Sequence, residues 1–296
     1  MTGAMPRNPA VYNGSSRHRR IPLAGSAIWF PTLDDLLTAG ISGLPAMTEV
    51  GTPSGSKWST DGLYTFQTTN TTNALNALDD DDDPYMDQVL SLIGMEGQRI
   101  IAYEASYTDA PGGTSCMFMH GRNSVGASAL GFAITSSEVP QFIARGRGNS
   151  AGTGTTTNLS ATSGTFTQFK NQGRFAVVLG IRPTSSELVD VELRLGNGTL
   201  SALYTGTNID VVQAGLSGTH PPGWNSGITM EDFGGLTLGA RNASSVGSYD
   251  NFWGRGGTNV GQLGNLQARS YDYDANLVGD VLAQMLAHPH DFVLLD

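Results

Sequence analysis

The sequence is poor in the features that disulfide bonds, cysteine-based metal sites and membrane spans require. Its 296 residues include a single cysteine, Cys116, so an internal disulfide framework and a cysteine metal cluster are excluded. No run approaches the roughly 18 apolar residues of a membrane-spanning helix. These absences exclude transmembrane, disulfide-stapled and zinc-finger proteins, and the scarcity of long periodic segments excludes a coiled coil.

Charge is also scarce, since Asp, Glu, Lys and Arg together make up only 14% of the chain. Disordered chains generally keep their charge high, so this composition argues for a folded protein. Aromatic residues at 8% and hydrophobic residues at 39% supply material for a core. The 39 glycines, and the Ser, Thr and Asn that crowd the middle of the chain, predict many turns.

The first 20 residues differ from the rest, because they contain four arginines and no acidic side chain. The other 276 residues hold 12 basic and 26 acidic side chains, and such an acidic body would repel nucleic acid. We expect residues 1–23 to form an extended basic docking arm, and no secretory signal is visible within it. The candidate docking contacts are Arg7, Tyr12, Arg17, Arg19 and Arg20.

Short stretches of alternating apolar and polar residues dominate the chain after residue 98, and glycine-rich turns separate them. The turn Gly196-Asn197-Gly198-Thr199 is a strong hairpin signal. Residues 146–164 are mostly small and polar, which predicts a long loop or an exposed ribbon. The predicted strands cover residues 63–68, 99–107, 116–119, 130–135, 141–144, 174–181, 188–195, 200–204, 235–241 and 263–270.

Helices are few in this pattern. The strongest prediction is a C-terminal helix that begins near Asp274 or Asn276 and ends before Pro289. Its apolar face consists of Leu277, Val278, Val281, Leu282, Met285 and Leu286. Shorter helices are expected at residues 32–37 and 84–93, where the aspartate run 79–83 would place negative charge at a helix start.

The order of these features from residue 99 to 287 resembles the concanavalin A-like, laminin-G-like jelly roll. The resemblance rests on Arg99–Ala105, on Arg174–Leu179, on Leu236–Ala240 and on Gly264–Tyr271 followed by the helix. The chain departs from the family in lacking a tryptophan before Val177. The resemblance implies an all-β, two-sheet antiparallel jelly-roll sandwich over residues 24–296, with an extended N-terminal arm and a short C-terminal helix.

Domains of this type look like modules of bacteriophage tail fibres and capsid decorations. The leading hypothesis is therefore a non-enzymatic virion structural protein, assembled in the host cytoplasm in many copies. Other virion proteins would be its partners, with a cell-surface glycan as a further one. The hypothesis includes no cofactor, no metal, and no nucleic-acid binding by the body.

A free carbohydrate-binding module is the first alternative. Sugars stack on aromatic rings beside groups that bond hydroxyls, and two glycine-rich segments carry such residues. The opposing interpretation is that these aromatic side chains pack the loops onto the core. The candidate glycan contacts are Trp224, Asp250, Asn251 and Trp253.

A glycosidase is the third hypothesis, because related glucanases use two carboxylates on one strand face. Asp190 and Glu192 would share a face, whereas Glu187 would point the other way and Leu188 occupies the place of the family's first glutamate. A charged outer face on an edge strand explains the pair without catalysis. Histidines around Pro289 are expected to cap the helix rather than bind metal.

Overall fold

The structure is a computed structural model, and it describes only part of the chain. The described residues are 29–30, 38–39, 48–50, 63–66, 74–77, 98–120, 129–145, 155–185, 188–210, 236–242, 249–250, 253 and 261–288. The docking arm, the helices expected at 32–37 and 84–93 and the aspartate run lie outside these residues.

The described residues form eighteen strands, one 3-10 helix at Phe166–Phe169 and one α-helix, α1, at Leu277–Ala287. The strands are β1 (Trp29–Phe30), β2 (Thr38–Ala39), β3 (Thr48–Val50), β4 (Tyr64–Phe66), β5 (Ala74–Ala77), β6 (Gln98–Tyr107), β7 (Ser115–His120), β8 (Ala129–Ile134), β9 (Pro140–Arg145), β10 (Thr155–Asn158), β11 (Ser160–Ser163), β12 (Phe175–Pro183), β13 (Leu188–Gly196), β14 (Ser201–Asp210), β15 (Leu236–Leu238), β16 (Arg241–Asn242), β17 (Tyr249–Asp250) and β18 (Gly261–Tyr271).

Two seven-stranded sheets, antiparallel at every described pairing, build the sandwich. Sheet I has the order β10-β9-β8-β7-β15-β5-β3, and sheet II has the order β11-β14-β13-β12-β6-β18-β4. Consecutive hairpins supply β7 to β10 in sheet I and β12 to β14 in sheet II, while the distant strands β6 and β18 pair directly. This confirms the predicted all-β, two-sheet antiparallel sandwich with a short C-terminal helix.

Strand alternation places the core between the sheets. On β6 the inward residues are Ile101, Tyr103, Ala105 and Tyr107, and they are buried with side chains from sheet I. Burying a large apolar side chain contributes about 1.5–3 kcal/mol, so this layer is the main source of stability. The sheet I residues of this cluster include Met117, Phe132, Ile134 and Phe142.

The opposite face of sheet II is covered by α1. Outward residues of β6 and β12, among them Ile100 and Val178, pack against the apolar face of the helix. All ten residues of β6 are therefore buried, because the core covers one face and α1 the other. The helix residues in this cluster are Leu277, Val278, Val281, Leu282 and Met285, as the helical spacing predicted.

The ends of α1 match the sequence signals only in part. Asn276 takes the N-cap position, but its side chain makes no capping bond. Asp274 holds the turn instead, since its Oδ1 accepts the backbone N–H of Asn276 at 2.8 Å. His288 is the C-cap, with its backbone N–H donating to Gln284, so α1 ends before Pro289 as expected. No helix among the described residues has both the length and the apolar character needed to cross a membrane.

The small polar residues at 155–163 form edge strands. β10 closes one end of sheet I and β11 closes one end of sheet II, so the chain crosses from one sheet to the other at Leu159. Leu159 is buried and anchors this crossing, and every residue of β11 is exposed. The described part of the segment 146–164 is thus the exposed ribbon that the composition predicted.

Candidate functional site

Trp253, a predicted glycan contact, lies in the protein core. Its side chain is 0% exposed, and its ring centroid lies 5.8 Å from that of Tyr107. Its indole N–H donates to the carbonyl of Gln262 at 3.2 Å, which fixes the ring against β18. A buried ring has no free face for a sugar, so the glycan-contact prediction is wrong for Trp253. The opposing interpretation, that this aromatic residue packs its loop onto the core, is confirmed.

Of the other predicted contacts, the structure describes only the backbone of Asp250. Asp250 lies in β17, where its backbone stands opposite that of Arg241 in the antiparallel pairing with β16. Trp224 and Asn251 lie outside the described residues. The participation of Trp224, Asp250 and Asn251 in glycan binding therefore stays a prediction.

The carboxylates considered for glycosidase chemistry lie on the outer face of sheet II, as strand alternation predicted. Each is paired with an arginine: Asp190 accepts from Arg182, and Glu192 accepts from Arg194 Nε at 2.5 Å. Strand β13 is an interior strand between β14 and β12. The expectation of an edge strand is thus wrong. Pairing with arginine accounts for the acidic residues instead, across the β12–β13 hairpin for Asp190 and along β13 for Glu192.

Arg182, Asp190 and Glu192 line a cleft on the outer face of sheet II, beside the segment that leads into α1. We call it the Tyr273 cleft, after the residue that walls it on the side of the segment leading into α1. Its volume is about 170 Å³. The lining side chains that matter below are Gln98, Arg182, Asp190, Glu192, Thr205 and Tyr273.

Strand register explains why these residues meet. Gly180, Glu192 and Thr205 stand in one row across β12, β13 and β14. In the neighbouring row, Arg182 lies directly opposite Asp190. Residues at such paired positions lie close enough for their side chains to interact, so the hairpin itself assembles the polar wall.

Asp190 also provides a hydrogen-bond acceptor at an irregularity in the pairing of β13 with β14. The register between β13 and β14 shifts between Val189 and Val191, and Asn208 opposite has a left-handed φ of 52°. The Oδ1 atom of Asp190 accepts the backbone N–H of Asn208 at 2.9 Å. Because its two oxygens bond Asn208 and Arg182, this carboxylate is held firmly in place.

Tyr273 is the exposed aromatic side chain of the cleft. Tyr273 is 52% exposed, and the guanidinium carbon of Arg182 lies 4.6 Å from the centroid of its ring. The hydrogen bond to Asp190 raises the pKa of Arg182, so the guanidinium stays charged against the ring. One ring face is therefore covered by a cation, and the exposed half of the residue faces solvent.

Gln98 closes the inner end of the cleft. It is only 5% exposed, yet its side-chain oxygen Oε1 has no hydrogen-bond partner among the described residues. A buried acceptor without a partner costs about 1–3 kcal/mol of stability. Such an atom in a cleft is the kind of exception that points to a ligand or to ordered water.

Gly180 gives the cleft its depth beside the helix. A β-carbon at this position would lie 2.4 Å from Cγ2 of Val278 and 3.0 Å from Nε2 of Gln98. Only glycine lets α1 and Gln98 approach the strand this closely. The start of the helix and the floor of the cleft therefore depend on the same residue.

The cleft offers side chains that can recognise a ligand. It offers an aromatic ring, two carboxylates, an amide and a hydroxyl, which together suit a ligand that carries hydroxyl groups on an apolar frame. Among the described residues, no three His, Cys, Asp or Glu side chains are grouped so that they could hold a metal ion.

Sequence reasoning did not identify Tyr273, Gln98 or Arg182 as site residues. The available signal was an aromatic residue between aspartates, directly after the last strand and before α1. A second signal was the placement of Arg182 directly after the predicted strand 174–181 and of Asp190 near the start of the next predicted strand, 188–195.

No family model and no curated protein matches the chain. Solved structures do share its fold. The binding domain of botulinum neurotoxin serotype C1 aligns with a TM-score of 0.53 and 9% identity over 88% of this chain and 51% of that one. A botulinum neurotoxin type C structure, described as showing cell entry dependent upon interaction with two ganglioside molecules, aligns with a TM-score of 0.52 and 8% identity.

A third similar structure is the binding domain of botulinum neurotoxin DC in complex with SialylT, with a TM-score of 0.51 and 8% identity. The chain spans about half the length of these solved chains, 51% in each case. These TM-scores establish a shared β-sandwich fold, and with identities this low they establish the fold alone. The jelly-roll part of the predicted resemblance is thus supported, whereas the bacteriophage and laminin-G parts stay predictions.

Proposed function

We propose that this protein is a non-enzymatic adhesion module that binds carbohydrate through the Tyr273 cleft. The observation that carries the proposal is the half-exposed Tyr273 ring, held by Arg182 beside the hydrogen-bonding groups of sheet II. Sugar rings present an apolar face and a rim of hydroxyls, and the cleft offers a partner for each. The fold shared with toxin binding domains, one of them solved in complex with SialylT, is compatible with this role.

The absence of enzymatic activity is part of the proposal. Retaining glycosidases need one carboxylate as an acid and another as a nucleophile about 5 Å apart. Here Asp190 is occupied by Arg182 and by the backbone of Asn208, and Glu192 is occupied by Arg194. Carboxylates engaged in this way stabilise the outer face of sheet II and are poorly placed to act as an acid and a nucleophile.

The larger setting is a finer proposal, and it rests on the sequence. We propose that residues 1–23 attach the module to other proteins of a bacteriophage-type virion, assembled in the host cytoplasm in many copies. Arginines in an otherwise acidic chain favour an acidic docking surface, and many weak glycan contacts would then add through copy number. If the chain lacking residues 1–20 entered particles as well as the full-length chain, this assembly role would be wrong.

Carbohydrate binding is tested on a glycan array with the full-length protein and two variants. We expect the wild type and Tyr273→Phe to bind the same glycans, because phenylalanine keeps the stacking ring. Tyr273→Ala should lose them. Equal binding by Tyr273→Ala, or no binding by the wild type, would contradict the proposal. Incubation of each bound glycan with the protein should release no product, and any cleavage that Asp190→Asn or Glu192→Gln abolishes would establish an enzyme instead.

A further inference from the structure

We infer that the Tyr273 cleft selects neutral sugars over acidic ones, an inference that rests on the proposed carbohydrate function. The cleft combines an aromatic stacking surface with two carboxylates that only accept hydrogen bonds, and Arg182, the one arginine among the described residues that line it, is already paired with Asp190. Hydroxyl groups satisfy such a surface, whereas a sugar carboxylate or sulfate does not.

The negative charges that line the cleft disfavour an acidic sugar. Two carboxylates, Asp190 and Glu192, face it, and their side chains are 24% and 27% exposed. Among the described residues that line the cleft, the one arginine, Arg182, already bonds Asp190 and covers the Tyr273 ring. Because Asp190 offsets the charge of Arg182 and Glu192 offsets that of Arg194, an acidic sugar would meet no unpaired cation there and would lie close to two carboxylates of its own charge.

Asp190 is also difficult to displace. Its second oxygen holds the backbone N–H of Asn208 at the point where the β13–β14 register shifts. Releasing Arg182 from Asp190 would therefore leave a carboxylate that the sheet keeps in position, close to the incoming anion. The arrangement rejects negative charge without any movement of the backbone.

The side-chain oxygen of Gln98 favours a ligand that can donate a hydrogen bond. Its buried Oε1 is an acceptor without a partner among the described residues, and the broad terminal torsion of glutamine lets the amide turn toward the cleft that it lines. A hydroxyl donates and accepts, so it can supply the missing hydrogen. An ionised carboxylate or sulfate only accepts and leaves this oxygen unmatched.

Thr205 and Glu192 extend the same surface along one row of sheet II. A hydroxyl side chain next to a carboxylate suits the adjacent hydroxyls of a sugar, which donate to the carboxylate and accept from threonine. The stacking partner at the opposite wall is Tyr273. The occupant that satisfies every one of these groups is an uncharged hexose or N-acetylhexosamine unit.

The test is isothermal titration calorimetry of the full-length protein with neutral sugars and their acidic counterparts. The probes are lactose and N-acetyllactosamine, each against its 3′-sialylated form, and maltose and cellobiose against their uronic acids. We expect a neutral sugar to bind at least tenfold more tightly than its acidic partner. The Gln98→Met variant should weaken that binding at least tenfold without lowering the midpoint of thermal unfolding, because methionine of similar length removes an unpartnered oxygen.

Each other outcome is decisive. Tighter binding of the acidic sugars, abolished by Tyr273→Ala, would overturn the selectivity and leave the proposed function standing. Unchanged affinity in Gln98→Met, or a lowered unfolding midpoint, would overturn the role of Gln98 and with it the inference. Absence of binding by either sugar class would overturn the inference together with the proposed function.

Discussion

The Arg182 guanidinium lies 4.6 Å from the centre of the Tyr273 ring while it donates to the Asp190 carboxylate across the β12–β13 hairpin. This contact joins the outer face of sheet II to the segment that leads into α1. The same guanidinium therefore holds the stacking ring and occupies the carboxylate, which makes Arg182 the positioning residue of the cleft.

Replacing Arg182 with methionine should weaken sugar binding while changing stability little. The side chains of Arg182 and Asp190 are 35% and 24% exposed, so the ion pair and the ring contact are worth at most about 1 kcal/mol each. Urea unfolding should show a change of that order or less, and calorimetry should show a severalfold loss of affinity. Wild-type affinity in Arg182→Met would mean that Tyr273 is positioned without it.

Gly180→Ala should destabilise the docking of α1. The new β-carbon would lie 2.4 Å from Cγ2 of Val278, and such overpacking typically costs about 1–3 kcal/mol. The loss is measured as a lower midpoint in urea unfolding. Gly279→Ala in α1 is the matched control: the nearest atoms to its β-carbon belong to the guanidinium of Arg194, at 3.3 Å, a side-chain end that can shift, and alanine favours a helix. If both variants unfolded alike, close packing at Gly180 would not be the cause.

Tyr107→Phe should cost about 1–3 kcal/mol, because it removes the hydroxyl that donates to a buried carboxylate. The hydroxyl donates to Oε1 of Glu138 at 2.9 Å and lies 3.1 Å from the carbonyl of Phe166. Glu138 is 8% exposed, has a left-handed φ of 59° and has Lys170 as a more distant partner at 3.8 Å.

Chemical denaturation measures this loss, with Tyr273→Phe as the control for removing a tyrosine hydroxyl at an exposed position. We expect the control to remain within about 0.5 kcal/mol of the wild type. An equally small effect for Tyr107→Phe would show that the Glu138 contact contributes nothing to stability.

Alkaline pH should unfold the protein through its buried tyrosines. Burial raises the pKa of Tyr103, Tyr107 and Tyr204 above the usual value, and the Glu138 carboxylate adds to the effect on Tyr107 and Tyr204. The folded state therefore keeps protons that the unfolded state releases above about pH 10. These tyrosines contribute their full share to the free energy of unfolding below that pH, and the contribution is lost as the pH rises.

Tyrosinate absorbance measures this effect. Near pH 10 the native protein should show less ionisation than the unfolded chain, with at least three of its nine tyrosines withheld until unfolding. Titration of all nine tyrosines in a still-folded protein would contradict the burial of these side chains.

Local patterns predicted the elements of the fold well. The apolar face of α1 and the glycine turn at Gly198, with its φ of 86°, are encoded within a few residues and appear where expected. The strand at 99–107 was also predicted, although the burial of both of its faces depends on α1, which follows more than 150 residues later.

The candidate site was harder to predict because it depends on how distant segments meet. Trp253 stands among glycine and asparagine in a segment that looks exposed, yet Gly261 leaves room for its ring beside β18. Tyr273 gains its role only because β12 brings Arg182 beneath it. Neither relationship is local in sequence, so composition and periodicity could not decide which aromatic residue faces solvent.

The most direct test of the account is an NMR titration of the isotopically labelled full-length protein with the neutral disaccharide that binds most tightly. The account predicts that amide signals around the Tyr273 cleft shift together, those of Gln98, Thr205 and Tyr273 most, while that of Trp253 stays in place. Shifts centred on Asp250 and Trp253, with the cleft unchanged, would contradict it.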